Sequence, residues 1–291
     1  MMINSQRSRD DFHVNGAIVV ASHPRSGTHL VIDLLRRQFP PCEPARTQFL
    51  LGREPYWNLD ELFSGSGATA ERQISRMASV ARPVLKTHRR PDFAARCQYT
   101  NEIVPERATF AHAVMARATK IYIYRPVFNV MTSLYVMVHP QGEIPFTAFI
   151  REMRGPWSRV GWWAMHLSEW MRAERTLLVS YDELMRDSAV VLSRLGEFIG
   201  EKPLMRLPVL PRRPSSIHLE RLRKLVPLRR DSTALMSYSR HTVCVRPTSE
   251  DLTFMREDAM RIDPRLPGLP DADFAPVHDG QSAGRDAGMA R

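Results

Sequence analysis

The architecture of this protein follows from residues 16–39, which read GAIVVASHPRSGTHLVIDLLRRQF. Residues 16–21 form a short apolar run rich in β-branched side chains, which predicts a buried strand of a parallel sheet. Residues 30–35 place their apolar side chains at helical spacing, so a helix is predicted directly after the loop at residues 22–28. Because a strand, a short loop and a helix direct backbone N–H groups and a helix N-terminus at one point, this segment predicts an anion-binding site.

The loop departs from the phosphate-binding loop of nucleoside triphosphatases. That loop has the pattern Gly-x-x-x-x-Gly-Lys-Ser/Thr, but here the first glycine would fall near Ala21 or Ser22, and no lysine follows Gly27. The basic residue is Arg25 instead, two positions before the glycine. The loop by itself therefore allows an anion site or an ordinary strand-to-helix turn, and it argues against a kinase or NTPase that uses Mg-ATP.

Predicted strands and helices alternate along the rest of the chain. The further strands lie at 83–88, 120–124 and 176–180. The helices lie at 71–82, 106–118, 127–138, 157–173 and 188–199. This alternation predicts an α/β, three-layer fold with a central parallel sheet flanked by helices, like that of the P-loop-containing nucleoside triphosphate hydrolases.

We expect a single domain at residues 16–262, with two or three helical segments in its last part. A flexible lead-in at residues 1–15 precedes it, and a mobile tail at residues 263–291 follows it, because that segment is rich in Pro, Gly, Asp and Ala. Residues 40–70 have no clear period and are expected to be irregular and close to a pocket.

Composition narrows the function classes. The net charge of +10 attracts anions, but the chain lacks the dense Lys/Arg run of a nucleic-acid-binding tail. Its three cysteines form no CxxC pair, which argues against a zinc ribbon or a redox pair. The chain has neither an apolar signal-peptide core near its start nor an apolar run of membrane-spanning length, so we expect a cytoplasmic protein without a membrane span.

Polar side chains recur where the predicted strands end and on the helices that follow. These motifs are Lys86-Thr87-His88, Tyr122-Ile-Tyr-Arg125-Pro126 with Ser133 after it, Trp163-x-x-His166-Leu167-x-Glu169-Trp170, and Val179-Ser-Tyr181-Asp182-Glu183-Leu184. Together with Pro24-Arg25-Ser26-Gly27-Thr28, they resemble the motifs of the sulfotransferases that use 3′-phosphoadenosine-5′-phosphosulfate (PAPS). The order and the approximate spacing are similar over residues 17–200.

The resemblance implies sulfuryl transfer from PAPS to an acceptor hydroxyl, with release of the desulfated product PAP and no metal. It implies His88 as general base, with Lys86 and Arg25 stabilising the charge that develops during transfer. The cofactor-binding residues that it implies are Arg25, Ser26, Gly27, Thr28, His29, Arg125, Ser133, Tyr181 and Arg240. The acceptor is expected to be a hydroxyl-bearing small molecule, lipid or glycan, and neither nucleic acid nor a particular oligomeric state is implied.

This sequence departs from the family pattern at several positions. Arg25 replaces the usual lysine, which keeps the charge but presents a fork of donors. His29 and Leu30 replace a Thr-Trp pair, so adenine stacking on that tryptophan is lost. The glycine-containing C-terminal loop of the family is not recognisable, and Arg240 is assigned to the 3′-phosphate only by its distance along the chain.

Other interpretations of these residues remain open. Arg125 can form a structural ion pair, Ser133 can be a neutral surface residue, and Tyr181 can belong to the core, as we expect for His166 and Trp170. A kinase or NTPase is the second candidate enzyme, and a basic nucleic-acid-binding protein is the candidate from another class. The acceptor cleft is expected to be apolar, lined by Tyr56, Trp57, Phe63 and Phe146.

Overall fold

The computed structural model describes residues 16–43, 56–60, 80–93, 105–205 and 245–270. The predictions that concern residues outside these ranges are the lead-in at 1–15, the greater part of the helix at 71–82, the assignments of Phe63 and Arg240, and the tail beyond residue 270.

A parallel sheet forms the centre of the domain. In chain order the strands are β1 (Ile18–Ala21), β2 (Trp57–Asn58), β3 (Val84–Thr87), β4 (Thr119–Tyr124), β5 (Met153–Arg154), β6 (Trp157–Ser158) and β7 (Thr176–Ser180). Five of them form the sheet in the order β2-β3-β1-β4-β7, and every neighbouring pair is parallel. β5 and β6 form a separate antiparallel pair. The predicted central parallel sheet is therefore confirmed.

Helices cover both faces of this sheet. They are α1 (Thr28–Gln38), α2 (Pro105–Arg117), α3 (Val127–Val138), α4 (Phe146–Arg151), α5 (Arg159–Arg172), α6 (Tyr181–Arg186), α7 (Ser188–Ile199) and α8 (Ser249–Ile262). Within the described residues, none of the helices has both the length and the apolar character required to cross a membrane.

Side chains of β1 alternate between two hydrophobic cores, as the pleat of a strand requires. Ile18 and Val20 lie in a core shared with α1 and α7. Val19 and Ala21 lie in the opposite core, with side chains of α2, α3, α5 and α8. All four side chains are fully buried, so β1 is the middle of a three-layer structure, as predicted.

Several element boundaries differ from the sequence prediction. The helix predicted from residue 157 begins at Arg159, because residues 157–158 pair with β5 and the Ser158 hydroxyl accepts a hydrogen bond from the backbone N–H of Gly161 at 2.9 Å. Residues 80–82, predicted as the end of a helix, form bends instead. The proline at position 83 disfavours helical geometry at the residue before it, and the backbone N–H of Arg82 donates to the carbonyl of Pro41 at 2.9 Å.

α8 packs against α5 and contacts α3 and α4. Met255 and Ala259 on its inner face are fully buried. Three buried carboxylates of this region attach it to the rest of the domain: Asp251 binds Thr147 and Arg151 of α4, Asp258 binds Ser158 of β6, and Asp263 binds Ser168 and Arg172 of α5. The helix is therefore attached by ionic contacts as well as by its apolar face.

Residues 263–270 also pack on the domain, although the sequence predicted a mobile tail from residue 263. Leu266 is buried, and the carbonyl of Gly268 accepts a hydrogen bond from the backbone N–H of Val127 at 3.0 Å. A Cβ at position 268 would lie 2.9 Å from the Cα of Pro126. This segment therefore supports the start of α3, and residues 263–270 pack against the domain as α8 does.

Candidate active site

The carboxyl ends of β1, β3, β4 and β7 meet at one edge of the sheet. The register pairs Ala21 with Thr87 on one side and with Tyr122 on the other, while Tyr124 pairs with Ser180. The loops that follow these strands therefore lie side by side. In open α/β sheets this edge is where ligands bind.

The loop between β1 and α1 is shaped by two residues with left-handed backbone conformations. Gly27 has φ 104° and precedes the first residue of α1, and Arg25 has φ 73°. No side chain caps the N-terminus of α1 within the described residues. The backbone N–H groups of the first helical turn therefore face the loop and favour an anion.

Gly27 also allows a close contact between the loop and α6. A Cβ built at this position would lie 2.6 Å from Cδ2 of Tyr181. Tyr181 thus lies directly against the loop, and no larger residue fits at position 27 without moving it.

Replacing Gly27 by alanine is therefore expected to destabilise the fold more than the same change at Gly200. Gly200 also has a positive φ, of 71°, but nothing lies within 4 Å of the position of its Cβ. The backbone penalty of about 1–2 kcal/mol applies to both changes, and the clash with Tyr181 adds about 1–3 kcal/mol at Gly27. Urea unfolding of the two variants measures the difference, and equal losses would show that Tyr181 moves aside freely.

One arginine belongs to this loop and a second lies beside it. Nε of Arg25 donates a hydrogen bond to the hydroxyl of Ser133 at 3.0 Å, which joins the loop to α3. The guanidinium of Arg125 lies over the ring of Tyr181, 4.6 Å from its centroid. The structure thus brings Arg25 together with Ser133, and Arg125 together with Tyr181.

Two buried polar atoms at this edge have no hydrogen-bond partner among the described residues. They are the hydroxyl oxygen of Ser26 and Nε of Arg125. Buried polar groups are nearly always hydrogen-bonded, so a donor pair of this kind suits a ligand that carries anionic oxygens. The residues present therefore fit a phosphorylated cofactor.

His88 follows β3 and is held in one tautomer. Its Nδ1 lies 2.8 Å from the carbonyl oxygen of Ser22 and 3.3 Å from the Ser22 hydroxyl. A carbonyl oxygen can only accept, so Nδ1 carries the proton and Nε2 keeps its lone pair. The Ser22 hydroxyl in turn bonds that of Thr28 at 2.5 Å, which links His88 to the start of α1.

The surroundings of His88 keep its imidazole neutral. Burial lowers the pKa of His88 most strongly, and the positive charge of Lys86 lowers it further. A neutral imidazole whose Nε2 holds a lone pair can accept a proton, which is the requirement for a general base near neutral pH.

His29 and Lys86 both contact Tyr56. Nε2 of His29 lies 3.0 Å from the Tyr56 hydroxyl, and the ammonium group of Lys86 lies 5.8 Å from the centroid of its ring. Burial, followed by the charge of Lys86, lowers the pKa of His29 to about 3, so this histidine is uncharged at neutral pH. The positive charge of the site therefore comes from arginine and lysine side chains.

His166 and Trp170 belong to the core and hold the backbone after β3. His166 is fully buried, and burial lowers its pKa to about 3. Its Nε2 donates to the carbonyls of His88 and Arg89 at 3.1 Å, and its Nδ1 accepts from the Tyr122 hydroxyl at 2.9 Å. Nε1 of Trp170 donates to the carbonyl of Arg89 at 3.1 Å.

Three residues shape the site although no pattern in the sequence indicated their role. Ser22 and Tyr122 were part of quoted motifs but received no role. Asp60 gave no signal at all, since it follows β2, a two-residue edge strand. Its carboxylate accepts hydrogen bonds from the Thr87 hydroxyl at 2.7 Å and from the backbone N–H of His88 at 2.9 Å.

Other predicted residues have simple structural surroundings. Trp57 is buried in the core of the α5 face, and Phe146 packs with Tyr135 and Phe149 next to that core. The described residues contain no group of three or more His, Cys, Asp or Glu side chains that can hold a metal ion.

Comparison with known proteins identifies the family. The model of the sulfotransferase domain family matches residues 15–207. No curated protein sequence is significantly similar to the chain. Solved structures that match include the mouse sulfotransferase SULT7A1 complexed with PAP, at 19% identity and a TM-score of 0.43, with 64% of this chain and 59% of that one covered.

Two further matches are bacterial or biosynthetic enzymes by name. A sulfotransferase from Alicyclobacillus acidocaldarius is 15% identical with a TM-score of 0.42, covering 72% of this chain and 90% of that one. The sulfotransferase domain from the curacin biosynthetic pathway is 18% identical with a TM-score of 0.37, covering 68% and 76%. Since the family model covers well over half of the sequence, this chain belongs to the sulfotransferase domain family.

Proposed function

We propose that the protein transfers the sulfuryl group of PAPS to an acceptor hydroxyl and releases PAP. The observation that carries the proposal is the orientation of His88. Its Nδ1 is tied to the Ser22 carbonyl, so Nε2 is the basic atom, at the same edge of the sheet as the phosphate-binding loop. A base and an anion site side by side suit the transfer of an anionic group to a hydroxyl.

The loop and its neighbours would bind the two phosphate-bearing ends of PAPS. The backbone N–H groups of residues 26–28 and the dipole of α1 suit the 5′-phosphosulfate. Arg125 and Ser133 suit the 3′-phosphate. The buried Nε of Arg125 supports this assignment because it has no hydrogen-bond partner among the described residues. Arg240 is retained as a further candidate for the 3′-phosphate on the strength of its sequence position.

In the transfer step the acceptor oxygen attacks the sulfur atom as the bond from sulfur to the bridging oxygen of PAPS breaks. Nε2 of His88 takes the hydroxyl proton while the new O–S bond forms. Arg25 neutralises the charge left on the bridging oxygen, and Lys86 stabilises the sulfuryl oxygens. Positioning and charge stabilisation supply most of the rate enhancement in such a transfer.

The acceptor belongs to the hydroxyl-bearing small molecules, lipids or glycans. Tyr56, predicted to line an apolar acceptor cleft, is instead buried in the core that β1 shares with α1 and α7, where its ring lies beside Lys86 and its hydroxyl bonds His29. An acceptor screen with labelled PAPS, in which label must move to a hydroxyl compound, tests the activity directly.

PAP is expected to stabilise the protein without magnesium. A ligand at about 100 times its dissociation constant raises the free energy of unfolding by about 2.7 kcal/mol, so thermal unfolding with PAP and EDTA should show a clear rise in Tm. Mg-ATP is the comparison, because the second candidate is a kinase or NTPase. A rise in Tm with Mg-ATP but none with PAP or PAPS would overturn the proposed function.

Salt dependence separates cofactor binding from nucleic-acid binding. PAP should remain bound at low and at high salt, because its site is built from buried and oriented donors. Binding to a nucleic-acid backbone weakens steeply as salt increases. Tight binding of oligonucleotides at low salt together with no binding of PAP would favour the nucleic-acid interpretation.

A further inference from the structure

The backbone of His88 is held from two sides. Its N–H donates to Oδ2 of Asp60 at 2.9 Å, and its carbonyl accepts from Nε2 of His166 at 3.1 Å. With the ring tied to the Ser22 carbonyl, three separate elements determine where this one residue lies. The contact from Asp60 is the one that carries a full charge.

Asp60 holds two consecutive residues at the end of β3. Its Oδ1 accepts from the Thr87 hydroxyl at 2.7 Å while Oδ2 accepts from His88. The Thr87 hydroxyl itself accepts from the backbone N–H of Arg89 at 3.0 Å. The carboxylate therefore determines the path of the chain as it leaves the sheet, and with it the position of the His88 ring.

Asp60 also opposes the positive charge around His88. Burial and Lys86 lower the pKa of His88, whereas the hydrogen bond to the Ser22 carbonyl and, less strongly, the negative charge of Asp60 raise it. The titratable and charged groups that face His88 are Lys86 on β3, Asp60 after β2, Arg89 on its own loop, His29 on α1, His23 after β1 and His166 on α5.

The three neighbouring histidines do not contribute charge near neutral pH. Burial is the largest cause that lowers their pKa values, to about 4 for His23 and to about 3 for His29 and His166. The guanidinium of Arg89 lies 3.7 Å from Asp60 at the exposed end of the loop. Among the charged groups near His88, Lys86 and Asp60 therefore act on its pKa in opposite directions.

We propose that Asp60 is a positioning residue for His88, which fixes the ring through the backbone of residues 87–88 and supplies the negative charge that opposes Lys86. The role rests on the proposed function of His88 as general base. Asp60 itself touches neither the acceptor nor the cofactor in this role.

Two variants of the full chain separate the two effects. Asp60→Ala removes both hydrogen bonds, so we expect transfer to fall at least about tenfold at every pH, because small displacements of a catalytic group are costly. Asp60→Asn keeps the size and shape of the side chain but removes its negative charge. Its amide oxygen can accept from the His88 N–H and its amino group can donate to the Thr87 hydroxyl, so the maximal rate should stay within about threefold of wild type.

The charge effect appears in the pH profile of Asp60→Asn. Removing the negative charge lowers the pKa of His88, so the neutral form persists to more acidic pH. The acid limb of single-turnover transfer should therefore move to lower pH by roughly half a unit. Asp187→Asn is the matched control, because Asp187 only caps α7 and asparagine caps a helix equally well.

Titration of His88 by NMR on histidine-labelled protein keeps this test independent of activity. The His88→Asn variant assigns the signal, and the pKa in Asp60→Asn should lie below that in the wild type. An unchanged pKa together with a wild-type rate in Asp60→Ala would overturn the role of Asp60. If the pKa moves as expected but His88→Asn still transfers sulfuryl groups normally, Asp60 acts on His88 as inferred and the proposed general base is wrong.

PAP binding distinguishes positioning of His88 from support of the cofactor site. Both Asp60 variants should bind PAP within about twofold of wild type. A loss of PAP affinity in Asp60→Ala that matches its loss of transfer would overturn the inference, since the loop after β3 would then serve the cofactor.

Discussion

Replacing His88 by asparagine is expected to lower single-turnover sulfuryl transfer by roughly 10²–10⁴-fold, the usual contribution of a general base. An alcohol is a poor nucleophile while it keeps its proton. Asparagine can still donate to the Ser22 carbonyl in place of Nδ1, but it offers no basic nitrogen to the acceptor. The fold and the loop between β1 and α1 should therefore stay intact while the chemical step fails.

The measurement pairs transfer with PAP titration by calorimetry. PAP affinity should remain close to wild type, and the exposed His112 on α2 supplies a control, since His112→Asn should change neither quantity. Transfer within a few-fold of wild type would assign the base to another group or to water. A collapse of PAP binding together with transfer would mean that His88 holds the site together.

Arg125→Ala is expected to lower PAP affinity by about 10–150-fold. A buried, charge-assisted contact to a phosphate contributes about 1.5–3 kcal/mol, and each 1.4 kcal/mol corresponds to a factor of ten in affinity. Nε of Arg125 is buried without a partner among the described residues, and its guanidinium rests on Tyr181. The side chain is thus held in place before a ligand arrives, which favours a large loss on truncation.

Calorimetry of PAP binding checks this expectation, with Arg125→Lys and Arg117→Ala as comparisons. Lysine keeps the charge but loses the planar fork of the guanidinium. The PAP affinity of Arg125→Lys should therefore fall between those of the wild type and of Arg125→Ala. Arg117 lies exposed at the end of α2, so Arg117→Ala should leave PAP affinity unchanged. Wild-type PAP affinity in Arg125→Ala would show that Arg125 serves only the structure around Tyr181.

Much of the sheet and its helices could be predicted because local patterns suffice for them. β7, α3 and α7 have the predicted boundaries, since continuous apolar runs and helical spacing identify such elements without tertiary information. The glycine that ends α7 in a left-handed conformation was likewise visible in the sequence.

β2 and the residues after it could not be predicted in this way. A two-residue strand has no period to detect, and its partner β3 lies far along the chain. Asp60 reaches His88 across 28 positions of sequence, so its contact depends on the register of the sheet edge. The same reason applies to the bond between Arg25 and Ser133, which are 108 positions apart.

The short helices were missed for a different reason. α4 and α6 have six residues each, which is too short for an apolar face to repeat. α6 begins where the Ser180 hydroxyl accepts from the backbone N–H of Glu183 at 3.3 Å, a cap that the sequence permits but does not require. Its placement brings Tyr181 against Gly27 and beneath Arg125.

The attachment of α8 has a consequence for dividing the chain. The family match ends at residue 207, but α8 lies at residues 249–262 and buries Met255 and Ala259 in the core that α5 shares. A fragment that ends at the family boundary would lack α8. The apolar surface of α5 on which α8 packs would be exposed, and Ser158, Ser168 and Arg172 would lose their aspartate partners. A fragment that ends at the family boundary is therefore expected to unfold at a lower denaturant concentration than the full chain.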